Sequence, residues 1–180
     1  IAEIEAVDFA ELAALYQHQA TTSDAAARAR RATPPPAFRL HDTSPRRKAA
    51  RQRGAAALTA GEVGVVLVAG GQGTRLGFNR PKGMYPIGPI SQASLFEILF
   101  AKTQAVGRRY GTPPPLLLMT SPATHAETVS YLGAHDGFGF AAGDLSVFCQ
   151  GTMPALDMAT GRVLLADKGH LQLSPDGHGG

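Results

Sequence analysis

Six consecutive small or branched apolar residues, Val63-Gly64-Val65-Val66-Leu67-Val68, lead without a polar interruption into Ala69-Gly70-Gly71-Gln72-Gly73-Thr74-Arg75-Leu76-Gly77. A short apolar run bounded by glycine predicts a strand buried on both faces, as in a parallel sheet. A glycine-rich turn leaving such a strand lets backbone N–H groups approach a ligand that side chains would keep away. Taken alone, such a turn is often no more than a tight connection. Arg75 inside it, and Lys82 in the following Pro81-Lys82-Gly83, change the reading. Oriented amides with one Arg and one Lys make a cradle for a polyphosphate.

The rest of the chain supplies elements for a sheet of that kind. Asp8-Phe9-Ala10-Glu11 has the form of a capping box, and Phe9, Leu12, Leu15 and Tyr16 follow at helical spacing, so a short N-terminal helix is predicted. Residues 20–43 read as an Ala/Arg/Pro-rich connector. Ser44-Pro45 suits an N-cap followed by the first helical position and predicts a helix to about Thr59, ended by Gly61-Glu62. Ser94-Leu95-Phe96-Glu97 is a second capping box, opening a helix through Ala101 toward Val106. Pro113-Pro114-Pro115 breaks the chain before Leu116-Leu117-Leu118-Met119, a second buried strand. Ser121-Pro122 predicts the start of another helix, ending near Gly133, and Val147-Phe148-Cys149 a third short strand. Asp157-Met158-Ala159-Thr160-Gly161 reads as a hairpin turn into Val163-Leu164-Leu165. Strands alternating with helices predict an α/β fold with a largely parallel sheet.

Composition narrows the class. The 180 residues, 44% hydrophobic and 17% charged, suffice for one sizeable core. Cys149 is the only cysteine, which excludes a disulfide scaffold and makes a cytoplasmic, reducing compartment the expectation. No run of 18 apolar residues occurs, so no membrane span is predicted. The acidic, amphipathic opening Ile1-Ala2-Glu3-Ile4-Glu5 is not a signal peptide. With no initiator Met, and an end at Gly179-Gly180, the chain is expected to be a fragment of a longer protein.

Charge is unevenly spread. Nine of the 17 basic residues lie between 28 and 53 (Arg28, Arg30, Arg31, Arg39, Arg46, Arg47, Lys48, Arg51 and Arg53), opposed there only by Asp42. A basic stripe can be an electrostatic footprint for RNA or another polyanion, and a non-catalytic module of that kind is the competing reading. This stripe has Phe38 as its single aromatic and is broken by Pro34-Pro35-Pro36, which fits a solvated arm and one exposed helix face. Nucleic acid is not the expected partner.

Two familiar phosphate loops are excluded by spacing. A P-loop needs G-x-x-x-x-G-K-[ST], whereas Gly77 and Lys82 stand too far apart and Gly83 follows the lysine. The dinucleotide fingerprint needs G-x-G-x-x-G opening directly into a helix; Gly71, Gly73 and Gly77 give G-x-G-x-x-x-G, followed by Phe78-Asn79-Arg80-Pro81.

The string from Leu67 to Gly77, with Pro81-Lys82-Gly83-Met84-Tyr85-Pro86-Ile87-Gly88, resembles the signature of UDP-sugar pyrophosphorylases. Its Gln-Gly-Thr-Arg form is most similar to the UDP-N-acetylglucosamine pyrophosphorylase branch. Three further segments are similar to that family in the same order: Met119-Thr120-Ser121, Phe148-Cys149-Gln150-Gly151-Thr152-Met153-Pro154-Ala155, and Leu173-Ser174-Pro175-Asp176-Gly177-His178-Gly179-Gly180. The resemblance covers residues 44–180 and implies a Rossmann-like nucleotidyltransferase fold, incomplete at the C-terminus. It also implies a domain division in which 1–43 is an N-terminal helix and basic connector, and 44–180 the first part of the catalytic domain.

The activity implied is uridylyl transfer, in which UTP and a sugar 1-phosphate give a UDP-sugar and pyrophosphate. Catalysis of that reaction is mainly positioning and charge stabilisation. By resemblance, Arg75 contacts the triphosphate and Lys82 the α-phosphate, while Val68, Ala69, Gly70, Gly71, Gly73 and Thr74 line the nucleotide. Gly71, Gln150 and Gly177 match positions that recognise uracil, and a Gln amide can both donate and accept toward that base. Without its flanking motif Gln150 reads equally as a hydrogen-bonded strand end, and Val68 as plain core. His178 stands beside the sugar where the acetylglucosamine branch commonly has Asn, which leaves N-acetylglucosamine 1-phosphate and glucose 1-phosphate both open. Cys149 replaces the usual Gln and is read as a small buried apolar residue.

The family implies Mg²⁺ bridging phosphate oxygens, with its carboxylate ligand expected beyond residue 180. Asp176 reads as a loop residue, and the six histidines (18, 41, 125, 135, 170 and 178) show no ligand spacing, so no metal ligand is assigned within the chain.

Overall fold

The computed structural model describes residues 2–5, 7–20, 23–39 and 41–176. In chain order its elements are helices α1 (Ala2–Glu5), α2 (Phe9–Ala20), α3 (Ser23–Arg31) and α4 (Pro45–Thr59), strand β1 (Val65–Val68), helix α5 (Leu95–Tyr110), strand β2 (Leu116–Thr120), helix α6 (His125–Ala134), and strands β3 (Leu145–Cys149), β4 (Thr152–Pro154) and β5 (Leu173–Pro175). The described residues divide into two units, 1–41 with 152–176, and 42–151.

In the unit formed by 1–41 with 152–176, α2 begins where Asp8 Oδ1 accepts the Ala10 and Glu11 amides at 2.9 Å each, and it buries Leu12. Tyr16 donates its hydroxyl proton to Met158 O at 3.1 Å. Strands β4 and β5 pair antiparallel, and the ribbon between them adds the bridges Leu156 to Val163 and Leu165 to Leu171. The expected hairpin turn at 157–161 is present, closed by Asp157 Oδ1 accepting from Thr160 N at 2.8 Å and from Thr160 Oγ1 at 2.7 Å. One reading needs correction: the connector at 20–43 contains α3. That Ala/Arg run has high helix propensity, and Arg28, Arg30 and Arg31 in its last turn complement the helix dipole.

The unit 42–151 is the α/β part. Helix α4 starts where predicted: Ser44 caps it by accepting from Arg47 N at 3.3 Å, and Pro45 occupies its first turn. Helix α5 opens with the complete capping box of Ser94 and Glu97, and extends past Val106 to Tyr110. Strands β1, β2 and β3 form one parallel sheet in that order, with β2 central. The register pairs Val68 with Met119 and Met119 with Phe148.

One face of this sheet meets α5 and α6. Phe96, Phe100 and Leu132 from the helices pack on Leu116 and Leu118, with Val65, Leu67, Leu145 and Val147 at the margins. The rings of Phe96 and Phe100 stack 5.4 Å apart and nearly parallel. Burying side chains of this size contributes on the order of 2 kcal/mol each, which fixes the helices on the sheet.

The opposite face corrects the first expectation. Val66 and Val68 are 61% and 47% exposed, and Leu117 and Phe148 beside them are exposed as well. Strand β1 therefore alternates between half-buried residues, Val65 and Leu67, and exposed ones. Burial on two faces depends on what lies across the sheet, and within this unit the packed helices lie on one side. Cys149 is likewise exposed rather than buried, because it ends the edge strand β3 beyond the helix layer.

Candidate nucleotide site

The loop after β1 begins at the carboxyl ends of the parallel strands, the edge where open α/β sheets bind ligands. Its first residue stays in the ladder, Ala69 N donating to Met119 O at 2.7 Å. From there the loop folds back on itself. Lys82 N donates to Gly71 O at 3.0 Å and Gly73 N to Arg80 O at 2.9 Å, so the outgoing and returning strands of the loop are cross-tied. Single 3-10 turns occupy Thr74–Leu76 and Lys82–Met84.

Two glycines are required by close approach. A Cβ on Gly73 would stand 2.8 Å from both Phe78 O and the Phe78 ring. One on Gly83 would stand 2.1 Å from Phe96 Cζ, inside the core cluster. Gly71 differs, since a Cβ there would meet open space. Among the described residues neither the Gly70 nor the Gly71 amide has an internal acceptor. Two N–H groups at the mouth of the loop are thus available to an outside ligand.

The predicted residues fall on this frame as follows. Val68 ends β1 on the exposed face; Ala69 is half-buried against the core; Gly70 is half-buried and Gly71 and Thr74 are exposed. Arg75 and Lys82 project from the two 3-10 turns, both exposed, and among the described residues no carboxylate pairs with either. Gln150 follows β3, its N–H donating to Thr120 O at 2.8 Å, and its amide lies against Gly70: a Cβ on Gly70 would be 3.2 Å from Gln150 Oε1. The glycine loop, both cations and Gln150 therefore belong to one folded unit. Gly177 and His178 lie outside the described residues. The basic residues 28–53 do not form one surface within a unit, since Arg28–Arg39 belong to the first unit and Arg46–Arg53 to the second.

Sequence reasoning missed what holds the loop. Ser121 Oγ donates to Gly70 O at 2.8 Å and lies 3.0 Å from the hydroxyl of Thr124, which is fully buried. Ser121-Pro122 opens a turn rather than the helix itself: Ser121 O accepts from Thr124 N at 2.9 Å and from His125 N at 2.8 Å, and α6 begins only at His125. The available signal was a pair of hydroxyls closing an apolar strand. At the returning end Arg80 Nε donates to Glu127 Oε1 at 2.6 Å.

Among the described residues no group of three His, Cys, Asp or Glu side chains is placed to hold an ion. The described residues by themselves therefore supply no complete divalent-cation site. Among them, too, no helix is long and apolar enough to cross a membrane.

A three-stranded parallel sheet with helices on one face and a folded glycine loop at its carboxyl edge is an α/β domain of the nucleotidyltransferase type. The chain belongs to the UTP–glucose-1-phosphate uridylyltransferase family, whose model matches residues 7–180. It is 43% identical over 130 residues to the UDP-N-acetylglucosamine pyrophosphorylase of Saccharomyces cerevisiae, covering 71% of this chain and 27% of the yeast protein. It is 33% identical over 185 residues to the human UDP-N-acetylhexosamine pyrophosphorylase-like protein 1, covering 93% of this chain and 36% of the human one. Among solved structures, the uridine diphosphate N-acetylglucosamine pyrophosphorylase of Trypanosoma brucei, crystallised with an inhibitor, superposes with a TM-score of 0.59 at 29% identity, over 74% of this chain and 29% of that one. The chain thus spans about a third or less of the length of these relatives.

Proposed function

We propose that this chain carries the nucleotide half of a uridylyltransferase that joins UTP to a sugar 1-phosphate. A phosphate oxygen of the sugar 1-phosphate attacks the α-phosphorus of UTP in line; the bond from that phosphorus to the bridging oxygen breaks, and pyrophosphate leaves with the electron pair. Atoms and charge balance without a covalent enzyme intermediate, so the protein's task is to hold and neutralise.

In this reading Arg75 engages the triphosphate with its planar fork, and Lys82 meets the α-phosphate, where negative charge builds in the transition state. The open amides of Gly70 and Gly71 add donors beside them. Gln150 and Gly71 read uracil, with Gly177 completing that contact; Val68, Ala69, Gly73 and Thr74 line the nucleoside and phosphates, and His178 lies beside the sugar. Mg²⁺ is the cation we assign to the reaction, where it would offset phosphate charge; no described residue is given the role of its ligand. The relatives' names favour N-acetylglucosamine 1-phosphate as the sugar substrate, with glucose 1-phosphate the alternative set by His178. A cytoplasmic location suits nucleotide substrates.

The observation that carries the proposal is the glycine loop, whose Gly70 and Gly71 amides and whose Arg75 and Lys82 have no partner among the described residues, meeting the Gln150 side chain at Gly70. Calorimetric titration with UTP, CTP and ATP tests it. UTP should bind selectively, and Arg75→Ala should weaken it by about tenfold or more, the size of one lost charge-assisted contact. Equal binding of all three by the folded chain would refute it.

A further inference from the structure

At the end of the central strand β2, the hydroxyls of Thr120, its last residue, and Ser121, the next one, reach to opposite flanks. Thr120 Oγ1, fully buried, donates to Phe148 O on β3 at 3.0 Å and meets His125 Nδ1 at 2.7 Å. Ser121 Oγ, in a side chain only 5% exposed, donates to Gly70 O on the other flank. Phe148 lies two residues before Gln150, and Gly70 one residue before Gly71. The end of β2 therefore holds both strand exits between which the base is read in the proposed site.

Ser121 is the more direct of the two. Its Cβ and the Gln150 Oε1 flank the same α-carbon, at 3.3 Å and 3.2 Å from where a Gly70 Cβ would stand. Gln150 thus rests on Gly70, and Gly70 is fixed through its carbonyl by Ser121. A hydrogen bond to that carbonyl restricts rotation of the Gly70–Gly71 peptide, and glycine has no Cβ to restrict it otherwise. We propose that Ser121 is a positioning residue for base selectivity: without touching the nucleotide, it sets the spacing and orientation between the Gly71 backbone and the Gln150 amide. This rests on the uridylyltransferase reading above.

Uracil and cytosine separate this role from mere folding. They have nearly the same shape, but uracil offers O4 as acceptor and N3–H as donor where cytosine offers an amino group and a bare N3. Selectivity between them needs the Gln150 amide in a defined place, whereas triphosphate affinity does not. The experiment measures UTP and CTP binding by calorimetry to this chain, with circular dichroism melts on each variant. Ser121→Ala should cut the UTP-to-CTP preference by about tenfold, as expected for one misplaced hydrogen-bond partner, with CTP affinity held within about twofold. Ser121→Thr, which keeps the hydroxyl, should retain the preference. Ser121→Cys, of similar size but a weak donor, should lose it, and it replaces the Ala variant if that melts below the assay temperature.

If Ser121→Ala and Ser121→Cys keep the preference while Gln150→Ala abolishes it, the proposal fails and the reading of the site stands. Equal weakening of UTP and CTP in the Ser121 variants would show a structural role alone and also overturn it. If the unaltered chain shows no preference, or Gln150→Ala leaves it intact, the uracil site itself is wrong and the proposal falls with it.

Discussion

Arg80 Nε lies 2.6 Å from Glu127 Oε1 and ties the returning arm of the glycine loop to the first turn of α6. Both side chains are about half exposed, at 54% and 43%, so solvent screens the pair. Its worth is then under about 1 kcal/mol. Glu127→Gln should lower unfolding stability by no more than that in urea titrations, and the difference should shrink as salt is raised. A loss of several kcal/mol would mean that this tie organises the whole loop.

Gly71 and Gly73 are separated by one residue but should respond oppositely to a methyl group. Gly73→Ala drives a Cβ to within 2.8 Å of the Phe78 carbonyl, a backbone atom that cannot rotate aside. Overpacking of that kind costs on the order of 1–3 kcal/mol. Gly71→Ala meets open space, so its melting temperature should stay near that of the parent; if the proposed site is right, the methyl stands in the path of the nucleotide and UTP binding should weaken. Paired thermal melts and UTP titrations of the two variants check this.

The free cations give a cleaner separation. Arg75 and Lys82 are exposed and make no ion pair among the described residues, so neither is needed for folding. Arg75→Ala and Lys82→Ala should change stability by less than about 0.5 kcal/mol, the usual range for surface positions. Nucleotide affinity should fall in both. Loss of stability in either would show that the residue serves the loop rather than the ligand.

The start of α4 carries an acid-sensitive contact. Asp42 accepts a hydrogen bond from Ser44 N at 2.8 Å, and this bond, with the Ser44 hydroxyl and the Arg47 charge, holds its carboxyl below the ordinary value. A lowered folded pKa means the unfolded chain binds the proton more readily. The stabilisation is therefore present above the ordinary carboxyl range of about pH 4 and is lost as pH falls through the folded value. Asp42→Asn should lower the melting temperature at about pH 6, and the gap to the parent should narrow as pH falls below about 4. A gap that stays unchanged or widens as the solution is acidified below about pH 4 would contradict it.

How far the sequence spoke depended on the reach of each interaction. Ser44 and Ser94 announced their helices because a cap closes within three residues, and both bonds form as read. Ser121-Pro122 looked like a third such start, but it opens only a turn, α6 begins at His125, and the Ser121 hydroxyl reaches a carbonyl 51 residues earlier. No local pattern records such a partner. The glycine loop was legible as a string because Gly73 and Gly83 answer to steric demands that only glycine meets. What those glycines press against, Phe78 nearby and Phe96 from another helix, was not. The apolar β1 run was recognisable as a strand, yet the exposure of Val66 and Val68 depends on neighbours that the run itself cannot specify.

The seat of Gly83 against Phe96 has a consequence for how sequences of this kind can drift. The glycine sits beside Lys82 on the same 3-10 turn, and the ring that leaves it no room is 99% buried and stacked on Phe100. Neither position can change size independently, because a larger residue at 83 needs a smaller one at 96, and a smaller one at 96 alone leaves a void. The two should therefore be inherited as a couple. Across relatives, any substitution at 83 should come with a compensating one at 96, so that a core aromatic and the loop that carries Lys82 would change together.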